Sequence, residues 1–298
     1  MKPKILLVGV GKFGKQHLEV LRGFERRGSI TLSGAIDSKT SLTAGLLKSV
    51  DAVDVVTPAS THYKIVKKCL PYTNVFVEKP LAMTFAEGEK LISLAARYKK
   101  ILAVGHIFRF NNAVWQLKKI IRPHIKGLYY IEGRFTGGTG EPAEDCGVVT
   151  SDMHLFDVLD YLLDKTPSAL YCRGWTRHKG YPFEEQASVI LDYPGNIHAY
   201  LKLGWAKAEK VRSLAFYLPG KEIHVDLLAQ IIAISEYSKK RLTLRCFRKK
   251  PLRAELEGFI SALRGGKGKY IGGDIANRIV DIIEKSRESM GKNTVVYV

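Results

Sequence analysis

Short apolar runs alternate with amphipathic stretches through the first hundred residues. KILLVG (4–9), ITLSGAID (30–37), AVDVVTP (52–58), NVFVEK (74–79) and ILAVGH (101–106) read as buried strands. Between them, 12–27, 60–70 and 84–100 carry apolar residues at helical spacing. Strand and helix in alternation imply right-handed crossovers and a parallel sheet covered on both faces. After about residue 107 the pattern changes. A helix over 111–121 leads to a strand over 127–135, a Gly-rich loop and a helix over 151–163. Strand-like runs follow at 168–177, 186–193, 196–205, 211–218 and 221–227, some joined by turn sequences such as DYPGN and LPGKE, as antiparallel neighbours require. Helical segments at 251–264 and 273–290 close the chain. The predicted fold class is α/β. A doubly wound parallel sheet over 1–107 precedes an α+β domain over 108–298, which has an open, mostly antiparallel sheet and a last helix placed to pack back on the first domain.

Composition narrows the partners. No apolar run reaches the 18 residues or so that a membrane-spanning helix needs, so no membrane partner is expected. The start, MKPKILLVGVGKFG, is basic then apolar, but its apolar part is short and runs into glycines without a small-residue cleavage site. It reads as a strand, and the expected compartment is the cytoplasm. Cys69, Cys146, Cys172 and Cys246 lie far apart with no CxxC pair, so free thiols and no metal site are expected. A net charge of +18 favours an anionic partner. The basic residues are spread along the whole chain with no nucleic-acid motif, which points away from nucleic acid and towards a small anionic molecule.

The first strand delivers Gly9, Gly11 and Gly14 in G-x-G-x-x-G spacing, with Lys12 and Phe13 inside the motif and a helix after it. Glycines allow the tight turn, the backbone's approach to a pyrophosphate and close packing of helix on strand, while the helix N-terminus offers free N–H groups to the anion. Strand, motif and helix in that order are the context a Rossmann dinucleotide site needs. Asp37 ends the second strand, 23 residues after Gly14. A carboxylate there accepts hydrogen bonds from ribose hydroxyls and repels a 2′-phosphate, so NAD is favoured; the neighbouring Lys39 leaves NADP open.

A charged pair locked by a proline, Glu78-Lys79-Pro80, ends the fourth strand. Ligands of open parallel sheets bind outside the carboxyl ends of the strands, where Lys79 lies. Three segments, TPASTH (57–62), EKP (78–80) and GVVTSDMHLFDVLDYLL (147–163), resemble the glucose-fructose oxidoreductase/inositol dehydrogenase/rhizopine-catabolism (Gfo/Idh/MocA) family, in order and spacing over essentially the whole chain. The resemblance implies an oxidoreductase. Lys79 would stand beside the nicotinamide and contact the substrate hydroxyl, with a cis bond often found at the following proline. His154 would be the catalytic base, with Asp157 three residues on. It also implies cofactor contacts from Gly9, Gly11, Lys12, Phe13, Gly14, Asp37, Thr57, Pro58, His62, Glu78 and Lys79, His62 having loop packing as its alternative role. FRFNNA (108–113) is similar to the family's segment into the second domain; it would bring Asn111 near the substrate, and Arg109 either there or onto a carboxylate.

Two features depart from the family pattern. Where relatives commonly carry an aspartate four residues before the histidine, this chain has Thr150, and Asp152 lies two residues before His154. Residues two apart on a helix face away from each other. Either that turn is not helical and Asp152 substitutes, or Lys79 and His154 act alone; Thr150 is counted among the substrate contacts. Only about 15 residues separate Asp37 from the strand at 52–58, where relatives carry an additional strand, so the adenine-side edge should be trimmed.

The segments VGHIFRFNNAV, 133–157, GWAKAEKVRSLAF and VDLLAQ resemble the branch acting on UDP-N-acetyl sugars. In that reading Arg134, Lys207, Lys210 and Arg212 line the cleft against a pyrophosphate, and the Gly-rich loop 137–140 covers the substrate. The resemblance implies an NAD-dependent dehydrogenase of a sugar or nucleotide-sugar alcohol, assembled as a homodimer or homotetramer through the open sheet. An inositol or free-sugar dehydrogenase is the alternative within the class. A noncatalytic NAD-dependent sensor is the alternative outside it.

Overall fold

The computed structural model describes residues 2–37, 40–137, 143, 145–205, 209–237, 241–246 and 250–298, the stretch 241–246 by its backbone alone. Two compact units emerge, Met1–Ile107 with Lys250–Asp281, and Phe108–Lys249 with Ile282–Val298.

In the first unit the strands β1 (Lys4–Val8), β2 (Thr31–Ile36), β3 (Ala52–Val55), β4 (Asn74–Glu78) and β5 (Leu102–Gly105) alternate with the helices α1 (Lys12–Arg26), α2 (Ala44–Lys48), α3 (His62–Cys69) and α4 (Phe85–Tyr98). All strand pairs are parallel, in the order β2-β1-β3-β4-β5. The period of two sends Leu6, Val8, Val53, Val55, Val75 and Val77 to one face, packed with Val66 of α3, Leu70 just after it and Leu91 of α4. Ile5, Leu7, Ala52, Phe76 and Ala103 face the other way, onto Leu21 and Phe24 of α1 and onto Leu252, Leu256 and Phe259 from a helix late in the chain, Pro251–Leu263. That returning helix is why the first unit is not a single run of sequence: the second face needs a cover beside α1. Amphipathic spacing announces that helix, but it does not say which sheet the helix will bury. Among its described residues the short crossover after Asp37 holds one helix, α2; β2 is the sheet edge, and its side chains alternate between exposed and half-buried.

The second unit holds the helices α5 (Asn112–Ile121), α6 (Val148–Ser151) and α7 (His154–Leu163). Its strands are β6 (Tyr130–Thr136), β7 (Ala169–Trp175), β8 (Gln186–Tyr193), β9 (Ile197–Gly204), β10 (Val211–Leu218), β11 (Lys221–Asp226), β12 (Ile231–Glu236), β13 (Arg241–Cys246) and β14 (Val296–Tyr297). They form one sheet in the order β13-β12-β11-β10-β6-β9-β8-β7-β14. Every pair is antiparallel except β6 with β9. On β6, Ile131 and Phe135 are buried while Glu132 and Arg134 are exposed. A Cβ at Gly133 would stand 2.7 Å from Leu201 and 3.2 Å from Leu155, so α7 lies closely on this strand. The hairpin β12–β13 was not expected; its charge-rich sequence, ISEYSKKRLTLR, hides the alternation. The returning helix Pro251–Leu263 is α8, and α9 (Gly273–Lys292) follows it. No helix among the described residues is long and apolar enough to cross a membrane.

Candidate functional site

At the carboxyl end of β1 the chain turns through Gly9, whose φ is +103°. A Cβ there would lie 2.2 Å from the Val56 carbonyl oxygen, and the Gly9 N–H donates to Ile36 O at 2.8 Å. A Cβ at Gly14 would stand 2.1 Å from Gly9 O. Protein packing therefore explains the first and third glycines. It does not explain the second: a Cβ on Gly11 would meet nothing within 4 Å. Gly11 is the N-cap of α1, with no side-chain cap and no acid in the first turn, so the helix's first N–H groups face that open space. This is the cradle a pyrophosphate needs, and the residues present fit a dinucleotide. Asp37 follows Ile36 directly and is exposed beside the turn, its carboxylate 3.5 Å from the Thr40 hydroxyl that donates to it. Lys39 lies outside the described residues.

Two further loops of this unit are tied to that turn. Thr57 and Pro58 follow β3, and the Thr61 hydroxyl donates to Thr57 Oγ1 at 2.7 Å. His62 opens α3 and is buried, with Nδ1 2.6 Å from Pro80 O and Nε2 2.9 Å from Thr57 O. Burial holds its pKa below the usual histidine range, against the pull of the two carbonyls. The Lys79–Pro80 peptide is cis, and the half-buried Lys79 sits between buried neighbours. Glu78 turns inward, where its carboxylate lies across Gly105: a Cβ there would be 2.4 Å from Glu78 Oε1. It meets His17 of α1, whose Nε2 is 3.3 Å from Glu78 Oε1 and whose Nδ1 is 2.9 Å from Asp54 Oδ2. Burial alone would strip His17 of its proton, but the two carboxylates outweigh it and raise the pKa to about 10. Neither His17 nor Asp54 belongs to a recognisable motif, but an aspartate inside the apolar run AVDVV signals that a buried partner exists.

In the second unit α6 and α7 are separate. Asp152 is the C-cap of α6 (φ −102°, ψ 30°) and His154 begins α7, so the turn between them is not continuous helix and the face-opposition of a helical i, i+2 pair does not apply. The imidazole of His154 is walled by Phe108, edge-on with ring centres 4.9 Å apart, and by Phe135 at 6.2 Å. Asp152 Oδ1 is 3.6 Å from the Arg212 guanidinium, which lies over the Phe135 ring at 4.9 Å and donates to Thr136 O at 2.9 Å. Thr150 is buried in α6. Glu184, unnoticed in the sequence, accepts the Val149 N–H at 2.9 Å and fills the notch that Gly147 leaves.

Three other residues do not join His154. Arg109 is buried and ion-paired, at 2.6 Å each, with Asp157 and Asp160 of α7, so both its charge and that of Asp157 are taken up in anchoring the helix. Asn111 caps α5 through Ala113 N and donates to Leu227 O at 2.8 Å. Arg134 is exposed on the sheet face opposite Phe135, as strand alternation demands. Lys207 and residues 138–140 of the Gly-rich loop lie outside the described residues. Among the described residues no cluster of histidine, cysteine or acidic side chains could hold a metal ion.

A glycine turn open at its middle position, on a five-stranded parallel sheet, defines a dinucleotide-binding α/β protein. Residues 3–106, about a third of the chain, match the Gfo/Idh/MocA model described as an oxidoreductase family with an NAD-binding Rossmann fold. It is similar to UDP-N-acetylglucosamine 3-dehydrogenase of Acidithiobacillus ferrooxidans, 28% identical over 129 residues that make up 38% of this chain and 40% of that protein. The solved structure of that enzyme superposes with a TM-score of 0.85 at 20% identity, over 98% of this chain and 99% of that one. The chain is also similar to 2,7-anhydro-N-acetylneuraminate hydratase of Mediterraneibacter gnavus, 23% identical over 67% of this chain and 61% of that protein. An inositol dehydrogenase homologue of Azotobacter vinelandii, solved with NADH and myo-inositol, shares the fold with a TM-score of 0.84 at 14% identity, over 100% of this chain and 98% of that one. The sequence alignments thus span only 40% and 61% of the two curated relatives' lengths.

The three glycines separate by experiment. Gly14→Ala should destabilise the protein by about 1–3 kcal/mol in denaturant melts, because α1 must move off Gly9. Gly11→Ala should leave the melt unchanged and weaken NAD binding, read by titration calorimetry. The His17 cluster gives a signed pH dependence. Its raised pKa stabilises the fold fully below about 6.5, the ordinary value, and that stability is lost as pH rises towards about 10. Melts across that range should show a fall that His17→Gln flattens.

Proposed function

We propose that the chain is an NAD-dependent dehydrogenase interconverting a secondary alcohol and ketone of a sugar, and that the sugar is nucleotide-linked. The observation that carries the reading is Lys79, presented at a strand end on a cis-proline turn whose carbonyl is tethered to the loop holding Thr57, within the same unit as the open glycine turn. Removing hydrogen from an alcohol takes a hydride from carbon and a proton from oxygen. The nicotinamide cofactor, when bound, supplies the hydride acceptor. The chain supplies the rest. The Lys79 ammonium stabilises the negative charge that develops on the oxygen. His154, at the head of α7 and walled by aromatic rings, takes the hydroxyl proton. Asp152, just before it and paired with Arg212, is the carboxylate of the group in place of the family's position at Thr150. Gly9, Gly11, Lys12, Phe13 and Gly14 hold the pyrophosphate. Asp37 holds the ribose and favours NAD over NADP. The net charge of +18 and the similarity to a UDP-N-acetylglucosamine 3-dehydrogenase support a nucleotide-linked substrate.

Mixing the purified protein with NAD and a panel of UDP-sugars, free sugars and inositols tests this, with reduced nicotinamide measured both free and protein-bound. A UDP-sugar should drive reduction, and Lys79→Ala and His154→Ala should each lower it by about 10²–10⁴-fold. Reduction by inositols or free sugars alone would replace the substrate class. Tight NAD binding without reduction by any candidate would replace the enzyme with a sensor.

The open face of the second unit's sheet supports a homodimer or homotetramer. Tyr171, Ile190 and Tyr200 stand in one register row of β7, β8 and β9, with Ile190 44% and Tyr200 37% exposed. Apolar and aromatic side chains lined up on an open sheet suit burial against a second copy. Light scattering should report a dimer or tetramer for the wild type, and Ile190→Lys with Tyr200→Asp should shift it to monomer. A monomeric wild type would remove this assembly.

A further inference from the structure

Two of the fully buried histidines of the parallel-sheet unit, His17 and His62, adjoin the turn that carries Lys79, and the proposed chemistry does not use them. They sit in helices covering opposite faces of the sheet: His17 in α1, above the face carrying Phe76, and His62 at the start of α3, above the face carrying Val77. Each contacts a residue adjoining Lys79. His17 meets the Glu78 carboxylate at 3.3 Å, and His62 meets the Pro80 carbonyl at 2.6 Å. Each also contacts a second element of the site. His17 belongs to the helix that starts at the glycine turn and pairs with Asp54 of β3 at 2.9 Å, and His62 reaches the carbonyl of Thr57 at 2.9 Å.

The geometry points to His17 and His62 as the positioning residues of Lys79, gripping the Glu78–Lys79–Pro80 turn from both faces of the sheet and tying it to the glycine turn and to Thr57. Neither imidazole touches the reacting atoms in this reading. A long, flexible side chain such as lysine aims its ammonium well only if its backbone is held, and here the residues on both sides of it are held through side chains. The two grips differ in kind. The first is ionic: burial disfavours a charged ring, so the paired carboxylates of Asp54 and Glu78 are what keep His17 protonated. A buried ion group of this sort adds little stability over an apolar filling of the same volume, but removing one partner leaves a buried charge uncompensated, so the group holds together. The second grip is a ring set between two carbonyl acceptors: burial lowers its pKa, and the neutral ring donates its single N–H to one of the two carbonyls while packing against the other. Gly105 belongs to the device as well, because only a residue without a side chain leaves room for the Glu78 carboxylate to reach His17.

The inference takes from the proposed function only that Lys79 is the working amine, and it can be read without turnover. In the cofactor-free protein, the rate at which an amine-acylating reagent modifies Lys79 is measured by peptide mass spectrometry, with the exposed Lys99 as internal reference. His17→Gln, His62→Gln and Gly105→Ala, each checked by circular dichroism and a thermal melt, should change the Lys79/Lys99 rate ratio severalfold. Combining His17→Gln with His62→Gln should give a non-additive effect, since both act on one turn. With a substrate in hand, kcat should fall by up to about 10²-fold in these variants, more than NAD affinity falls. A Lys79/Lys99 ratio unchanged in folded variants would overturn the inference. Should a histidine variant fail to fold, Gly105→Ala and Glu78→Gln, which disturb the same grip while keeping both rings, decide by the same ratio. Full turnover in Lys79→Ala would refute the catalytic role of the lysine, yet leave the labelling result to stand or fall by itself.

Discussion

The arrangement of the first unit follows from one close approach, that of α1 to β1 at Gly14. The Gly9 carbonyl oxygen sits 2.1 Å from where a Cβ at position 14 would stand, so any side chain there would push the helix off the sheet. With the helix seated, its uncapped N-terminus faces the open space over Gly11. One turn further on, His17 reaches down between Asp54 and Glu78, and through Glu78 it meets the strand end that carries Lys79. A packing constraint at one glycine thus passes by way of a buried imidazole to the lysine.

The second unit places its candidate base by a different economy of charge. Arg109 is spent inside the protein, between Asp157 and Asp160, and that ion group pins α7 about one and two turns on from its first residue. Glu184 holds the first turn of α6 by accepting the Val149 N–H where Gly147 leaves a notch. His154 is then left at the break between two helices, with rings on two sides and Asp152 next to it in a turn that is neither α6 nor α7. The break frees Asp152 from the opposition that a continuous helix would impose on it.

Several residues that a motif places near a ligand have protein partners in the fold. Arg109 and Asn111 stand in such a motif, and the structure uses the first in an ion group and the second as a helix cap. Glu78 is similar: in sequence it is the neighbour of Lys79, and in the fold its carboxylate turns inward to His17 of α1. Alternation along a strand separates adjacent side chains by half a turn, so adjacency in a tripeptide says nothing of a shared direction.

What the sequence determined by itself was the parallel sheet, the glycine turn, the end of β2 at Asp37, and the placing of Lys79 at a strand's end and of His154 at a helix's start. These are local matters. They follow from hydrophobic period, from glycine spacing and from where an apolar run stops. The return of residues 250–281 to the first unit, the pairing of β6 with β9, the hairpin β12–β13 and the buried partners of His17, His62 and Arg109 were decided only in the tertiary structure. An amphipathic helix carries no label for the face it covers, and a buried charge draws its partner from whatever element packs against it. Such pairings join residues 37 or 48 positions apart, a separation at which local spacing carries no information.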